Sequence, residues 1–95
     1  MALPQFVSET QLVRRVAANP ECRFRWTKHS LVEVAKERWT ATDVEYSLTN
    51  CQVTLVEWKK DVLYRSVGTS LDGDRIEAVV AVFENEIVIK VVTVF

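Results

Sequence analysis

The sequence predicts an α+β domain with its helices packed on one face of an antiparallel sheet. Apolar residues recur about every 3.6 residues as far as Asn50 and alternate with a period of 2 after it. Helices before strands, with one short strand among the helices, are typical of this fold class. The 95 residues are 48% hydrophobic and 26% charged, which suits one folded domain spanning residues 1–95.

The first half of the chain predicts three helices. Their expected spans are 8–19, 28–38 and 40–49. Ser8 and Gln11 have the form of a capping box, and Thr27 and Thr40 are suitable N-caps for the other two helices, with Thr42 as a rival register for the third. Pro20 and Asn50 mark helix ends.

Alternating segments predict one short strand and then a four-stranded antiparallel meander. Their spans are 22–26, then 51–58, 62–66 with an extension as far as 69, 75–83 and 87–95. Arg23 and Arg25 share the outer face of the short strand, and strict alternation in 51–58 places Leu55 on the same face as Val53. Asp72-Gly73 predicts a hairpin turn. The last strand is apolar on both faces, which indicates a central or covered position.

The net charge of −1 conceals an uneven distribution. Between Gln11 and His29 there are five basic residues and one acid, whereas Ser66 to Phe95 carries two basic residues and five acids. A local basic face of this kind suits a phosphate chain. The nearly neutral total argues against tight non-specific binding to nucleic acid.

Several function classes lack their usual sequence signals. Cys22 and Cys51 lie 29 residues apart, and the sequence contains a single histidine. We therefore expect reduced thiols and no metal site. We see no signal peptide and no apolar run long enough for a membrane span, and we therefore expect a cytoplasmic protein. No phosphate loop, dinucleotide motif or serine nucleophile motif is recognisable, and no cofactor is expected.

The polar residues that remain could serve a ribonuclease that works without metal. Such an enzyme needs a base for the 2′-hydroxyl, cations for the phosphate and a surface for the bases. The residue types that fit are found at Lys28, His29, Arg38, Tyr64, Arg65 and Arg75, with Trp26, Trp39 and Trp58 available for stacking. Structural roles are open alternatives: His29 at a helix start, Arg38 paired with Glu33 or Glu37, and Tyr64 as an ordinary sheet residue.

The order of several short motifs resembles a known family. They are Thr27-Lys28-His29-Ser30, Glu37-Arg38-Trp39-Thr40, Asp43-Val44, Tyr64-Arg65, Asp72-Gly73, Val79-Val80-Ala81-Val82 and Val91-Val92-Thr93-Val94. In this order they resemble small bacterial domains of unknown function related to the RelE-like toxins, which include the RelE, ParE, BrnT and MqsR types. The match covers roughly residues 24–95, and the segments 11–19 and 61–65 are similar to MqsR-type toxins that cleave mRNA.

The resemblance implies helices against an antiparallel sheet and a metal-free endoribonuclease toxin, or a gyrase-directed toxin in the ParE branch. It also implies a cognate antitoxin. Carried over by position, His29 matches the family's histidine, Arg38 its Glu-Arg stretch, and Tyr64 and Arg65 its tyrosine–arginine pair. The chain departs from the family in its low net charge and in its C-terminus, where only Phe95 and Lys90 stand near the family's active position.

Two hypotheses follow. In the first, the chain is an RNA-cleaving toxin with His29, Tyr64 and Arg65 as catalytic residues. The expected substrate-binding residues are Lys28, Arg38, Arg25 and Arg75. In the second, the chain is a binding module of the same fold without chemistry, whose acidic sheet half and last strand meet a protein partner or a second copy in a homodimer. Expected partners are thus RNA, an antitoxin or other protein, and another copy, but no membrane.

Overall fold

The chain folds into three helices and a five-stranded sheet, described for residues 5–95 by a computed structural model. The elements are α1 (Val7–Ala18), β1 (Arg23–Trp26), α2 (Lys28–Lys36), α3 (Ala41–Thr49), β2 (Gln52–Trp58), β3 (Val62–Thr69), β4 (Arg75–Phe83), a 3-10 turn (Glu84–Glu86) and β5 (Val88–Val94). The predicted α+β class is confirmed.

The sheet has five strands, in the order β1-β5-β4-β3-β2, rather than the predicted four. Strands β2 to β5 form the expected antiparallel meander. The short strand β1 joins it by pairing in parallel with β5, from Arg23 opposite Val88 to Trp26 opposite Val91. Strand β5 therefore lies between two neighbours, which confirms the interior position indicated by its apolar residues on both faces.

All three helices pack on one face of the sheet, called here the helix side. Side chains from each helix and from three of the strands, β2, β4 and β5, form one buried core, with Val13, Val34, Val44, Leu48, Val53, Ile76, Val80 and Val91 among its members. Within residues 5–95 no helix covers the opposite face, called here the open face. Strand alternation and register place on it Arg23, Arg25, Leu55, Glu57, Leu63, Arg65, Val67, Arg75, Glu77, Val79, Ala81, Phe83, Val88, Lys90 and Thr93.

Two of the three helix starts follow the predicted capping chemistry. Thr27 accepts a hydrogen bond from the Ser30 amide, and Thr40 does so from the Asp43 amide, each in a full capping box. The prediction of Ser8 as the first cap is wrong, because α1 begins one residue earlier and Ser8 lies in its first turn. Its N-cap is Phe6, which has a left-handed backbone (φ 58°), makes no side-chain cap bond and packs against the core.

Strand β2 contains a β-bulge that reverses one side-chain assignment. Val53 pairs with Ser66 and Leu55 with Arg65, so Thr54 is an extra residue without a partner of its own. Val53 and Val56 consequently face the core, whereas Leu55 faces the opposite way and is 43% exposed. Strict alternation, which placed Leu55 with Val53, was wrong at this position.

Candidate functional site on the open face of the sheet

Tyr64 and Arg65 are adjacent on β3 and therefore point to opposite faces of the sheet. Tyr64 packs against the core on the helix side. Burial raises the pKa of Tyr64, and the carboxylates of Glu9 and Glu84 raise it further. Arg65 lies on the open face, so the two neighbours cannot act on the same substrate atom from their observed positions.

His29 is held on the surface of α2 by a structural contact. Its Nε2 lies 3.0 Å from Oε1 of Glu33 one turn later. The same carboxylate oxygen accepts a hydrogen bond of 3.2 Å from the backbone amide of Val94. Strand β1 ends opposite Val91, so β5 continues beyond its parallel neighbour. The Val94 amide therefore has no β1 carbonyl to bond with, and the Glu33 carboxylate accepts its hydrogen bond instead. On the helix side of the sheet, His29 is thus the partner of a carboxylate that also binds the end of β5.

Arg38 lies directly after the C-cap residue of α2, Glu37. The Arg38 amide donates to Ala35 and the Trp39 amide donates to Val34, which is the bonding pattern of a Schellman motif. Arg38 takes the left-handed conformation (φ 63°) that glycine usually supplies there. Lys28 begins the same helix, so Lys28, His29 and Arg38 belong to the helix layer, whereas Arg25, Arg65 and Arg75 share the open face.

The open face brings together a compact group of charges and an aromatic ring. Arg65 Nη2 lies 3.0 Å from Oε2 of Glu77, and Arg75 Nη2 lies 2.9 Å from its Oε1. The Arg65 guanidinium also stands over the Phe95 ring, 4.4 Å from its centre. We call this set of Arg65, Arg75, Glu77 and Phe95 the arginine cluster. Glu77 and Phe95 were not predicted to lie beside Arg65, although the Asp72-Gly73 hairpin fixes the register of Glu77 opposite Val67 and so puts it on the same face as Arg65.

A second basic group lies on the same face, two strands away. Arg25 on β1 pairs in register with Lys90 on β5, and Arg23 lies two residues before Arg25. Among residues 5–95 these three cations have no carboxylate within ion-pair distance. We call them the cationic row. The sequence identified the outward arginines of β1 correctly, but only the parallel pairing with β5 adds Lys90 to them.

Strand geometry relates the two groups. Lys90 pairs with Ala81, and Ala81 lies two residues along β4 from Val79, the partner of Arg65. Two strand spacings and one two-residue step separate the Cα positions of Arg65 and Lys90 by roughly 12 Å. The intervening Ala81 has a small side chain and is only 1% exposed, so neighbouring side chains cover it.

The described residues offer no alternative centre for metal or thiol chemistry. Within residues 5–95, no three His, Cys, Asp or Glu side chains are grouped closely enough to hold a metal ion. Cys51 is fully buried and burial raises its pKa to about 11, which leaves the unreactive thiol form. Cys22 is half-buried, neither cysteine forms a disulfide, and burial also raises the pKa of Cys22.

A depression among the described residues lies away from these charges. It has a volume of about 480 Å³ between the start of α1 and β2, and it is lined by Gln5, Phe6, Gln52, Val53 and Thr54. None of these side chains titrates, so the depression contributes no acid, base or cation to chemistry. No helix among the described residues is long and apolar enough to cross a membrane.

The charge of Glu77 predicts a pH-dependent contribution to stability. Hydrogen bonds from Arg65 and then Arg75 hold the pKa of Glu77 below its usual value of 4.5. A carboxyl whose pKa is lower in the folded state stabilises the fold above the unfolded pKa and loses that effect as pH falls through the folded pKa. We therefore expect Glu77→Gln to lower the free energy of unfolding by about 1 kcal/mol near neutral pH, since both ion pairs are partly exposed.

Urea unfolding of the wild type and Glu77→Gln, near neutral pH and again below about pH 4, checks this expectation. The difference between the two proteins should shrink at the lower pH. A difference of equal size at both pH values would show that the carboxylate charge is not the cause.

Comparisons with protein-family models, with curated proteins and with solved structures gave no significant match for this chain.

Proposed function

We propose that this protein is a RelE-like toxin of a toxin–antitoxin pair that binds a single strand of RNA on the open face of its sheet and cleaves it without a metal ion. The observation that carries the proposal is the arginine cluster: two arginines, a carboxylate and an aromatic ring on a face that no described helix covers. The resemblance to RelE-like toxins supplies the reaction class. The proposed centre lies on the open face, away from His29 and Tyr64, and the pairing of both arginines with Glu77 supports this choice.

The two arginines supply the phosphate contacts. A guanidinium binds phosphate oxygens in a planar fork and retains its charge at any physiological pH. In the free protein both arginines are paired with Glu77. A bound phosphodiester competes for the same donors, so binding would exchange the carboxylate for the phosphate. Loss of these hydrogen bonds raises the pKa of Glu77 toward its ordinary value and makes it a better base.

The proposed reaction is an internal transfer at phosphorus. Glu77 accepts the proton of the 2′-hydroxyl, and the 2′ oxygen forms a bond to the adjacent phosphorus. The bond from phosphorus to the 5′ oxygen breaks, and that oxygen leaves with a proton from water; the proton that Glu77 accepted neutralises the resulting hydroxide and restores the carboxylate. Arg65 and Arg75 stabilise the charge that accumulates on the phosphoryl oxygens. The products are one fragment with a 2′,3′-cyclic phosphate and one with a 5′-hydroxyl.

The surrounding residues provide contacts along the strand. Phe95 is 46% exposed, and the part of its ring that Arg65 leaves free can stack on a base. The cationic row, Arg23, Arg25 and Lys90, offers phosphate contacts roughly 12 Å from Arg65. A flat sheet face with half-exposed side chains suits an unpaired strand better than a rigid duplex, because splayed bases can reach it.

A second candidate function is a binding module without chemistry, acting through the same face. It is favoured by the apolar side chains beside the arginine cluster on this face, since Leu63, Val67, Val79 and Phe83 are only half-buried. Covering them with a partner protein would remove their apolar surface from water. The two functions differ in whether RNA is cut.

The test is cleavage of a short unstructured RNA by the purified protein in the presence of a chelator. We expect fragments that end in 2′,3′-cyclic phosphate, and no cleavage of DNA of the same sequence, which lacks the 2′-hydroxyl. His29→Ala should cleave at close to the wild-type rate, because His29 lies on the helix side of the sheet.

Intact RNA at a large excess of folded protein would reject the nuclease and favour the binding module. Loss of cleavage in a folded His29→Ala protein would instead place the reaction on the helix side, contrary to the proposal.

A further inference from the structure

Trp58 is far more exposed than the other two tryptophans. It is 81% exposed, whereas Trp26 and Trp39 pack against the core. Trp58 is the last residue of β2, and its register places it on the same side of the sheet as Val56, the helix side. One exposed apolar side chain is ordinary on a protein surface, whereas a contiguous apolar patch indicates an interaction surface, so the neighbours of Trp58 decide its meaning.

The surroundings of Trp58 extend the apolar surface. Trp58 pairs with Val62 and Val56 pairs with Tyr64, so these four side chains lie together on the helix side of the β2–β3 hairpin. Val82 continues the set on β4, since the neighbouring pair is Leu63 with Ala81. The other four side chains are half-buried. We call these five residues the hairpin patch.

Helix α1 does not cover Trp58. It crosses from β2, where the Thr10 hydroxyl accepts from the Val53 amide, to the β4–β5 turn, where Arg15 pairs with Glu84. Val56, Tyr64 and Val82 pack in part against the core, whereas Trp58 is 81% exposed. The most exposed part of the hairpin patch is therefore Trp58, at the β2 edge of the sheet.

The charges that flank the hairpin patch are of opposite sign. Lys60 lies in the β2–β3 turn, and Glu86 lies in the neighbouring β4–β5 turn, both exposed. In the described part of the chain, neither side chain takes part in an ion pair. A two-fold axis through the patch would bring the lysine of each copy toward the glutamate of the other, as a self-complementary interface requires.

We infer that the hairpin patch binds a second copy of this chain, with Trp58 packed against the other hairpin and Lys60 facing Glu86 across a two-fold axis. The paired surface lies on the helix side, so the open face of each copy stays accessible. The inference does not depend on the proposed RNA chemistry. Tryptophan is one of the residues most enriched at the energetic centres of protein interfaces.

The first test is sedimentation equilibrium of the full chain over a range of concentrations. We expect the wild type to be a dimer. The dissociation constant of the Trp58→Ala dimer should be at least about 30-fold higher. Leu71→Ala is the matched control, because Leu71 is 64% exposed in the turn at the opposite end of the sheet. It should dimerise like the wild type. A folded wild type that remains monomeric up to about 100 μM would overturn the inference.

Charge reversal gives a second and independent test. Lys60→Glu and Glu86→Lys should each weaken the dimer, because each places like charges opposite one another. The protein with both changes should regain most of the affinity, since the opposite charges face each other again. Equal weakening in the double variant, or a dimer insensitive to Trp58→Ala and to both charge changes, would show that the copies meet elsewhere.

Discussion

Replacing Arg65 with alanine should lower the rate of RNA cleavage by about 100- to 1000-fold, the usual loss when one donor to a developing oxyanion is removed. Arg65 is positioned for this role by its hydrogen bond to Glu77 and by the Phe95 ring beneath its guanidinium. Alanine removes the charge, the fork of donors and the ring contact together. The effect should appear in kcat more than in KM, because the phosphate gains charge only in the transition state.

Arg15→Ala provides the matched control. Arg15 is an exposed arginine that also pairs with a glutamate, Glu84, but it lies on α1 on the helix side. Its loss changes the net charge of the protein by the same amount. If both variants lost activity equally, the effect of Arg65 would be a general weakening of RNA attraction, and the arginine cluster would not be the reaction centre. Arg65→Lys should recover part of the rate, since lysine keeps the charge but not the planar fork.

Sequence reasoning succeeded where the determining signal is local. Thr27 and Thr40 begin helices because each side chain accepts from an amide three residues later. Asn50 ends α3, and Gly73 supplies the left-handed turn conformation (φ 86°) between β3 and β4. Such signals need only a few neighbouring residues, so they can be read without knowledge of the fold.

The parallel pairing of β1 could not be predicted in the same way. Four residues from Arg23 to Trp26 carry a clear alternation, but nothing in them specifies a partner more than sixty residues away. The bulge at Thr54 is a similar case, because the extra residue satisfies a packing requirement of the assembled sheet rather than a local preference. Both features depend on tertiary contacts.

The positions of the candidate site residues could be predicted only in part, because several of them depend on tertiary contacts. Alternation on β3 correctly separated Tyr64 from Arg65, and it put Arg25 on an outer face. His29 could not be separated from a catalytic role by sequence, because its partner Glu33 caps the amide of Val94 in the last strand. That hydrogen bond joins residues 61 positions apart, so no local pattern reveals it.

Replacing Gly68 with alanine should destabilise the protein more than any other single-methyl change in the sheet. A Cβ atom at Gly68 would lie 2.2 Å from the backbone oxygen of Ser47 and 3.1 Å from Oδ1 of Asn50. The first of these atoms belongs to the main chain of α3, so it cannot move aside by a side-chain rotation. The helix itself would have to withdraw from β3.

That withdrawal would break the contacts that fasten the end of α3 to the sheet. Asn50 accepts a hydrogen bond of 2.9 Å from the Thr69 amide and donates one of 3.0 Å to the Thr69 carbonyl. Leu48, which is fully buried, would lose part of its packing in the same movement. We expect Gly68→Ala to lower the free energy of unfolding by about 3 kcal/mol, at the upper end of the usual cost of overpacking.

Gly73→Ala separates this steric effect from the general cost of losing a glycine. Gly73 has a positive φ of 86°, but no atom lies within 4 Å of the Cβ that alanine would add. Its cost should come from backbone strain alone, about 1 kcal/mol. Urea unfolding of the two variants beside the wild type measures the difference. If Gly73→Ala proved as damaging as Gly68→Ala, backbone freedom would be the main requirement at both positions, and the close approach of α3 to β3 would not be what makes glycine necessary at position 68.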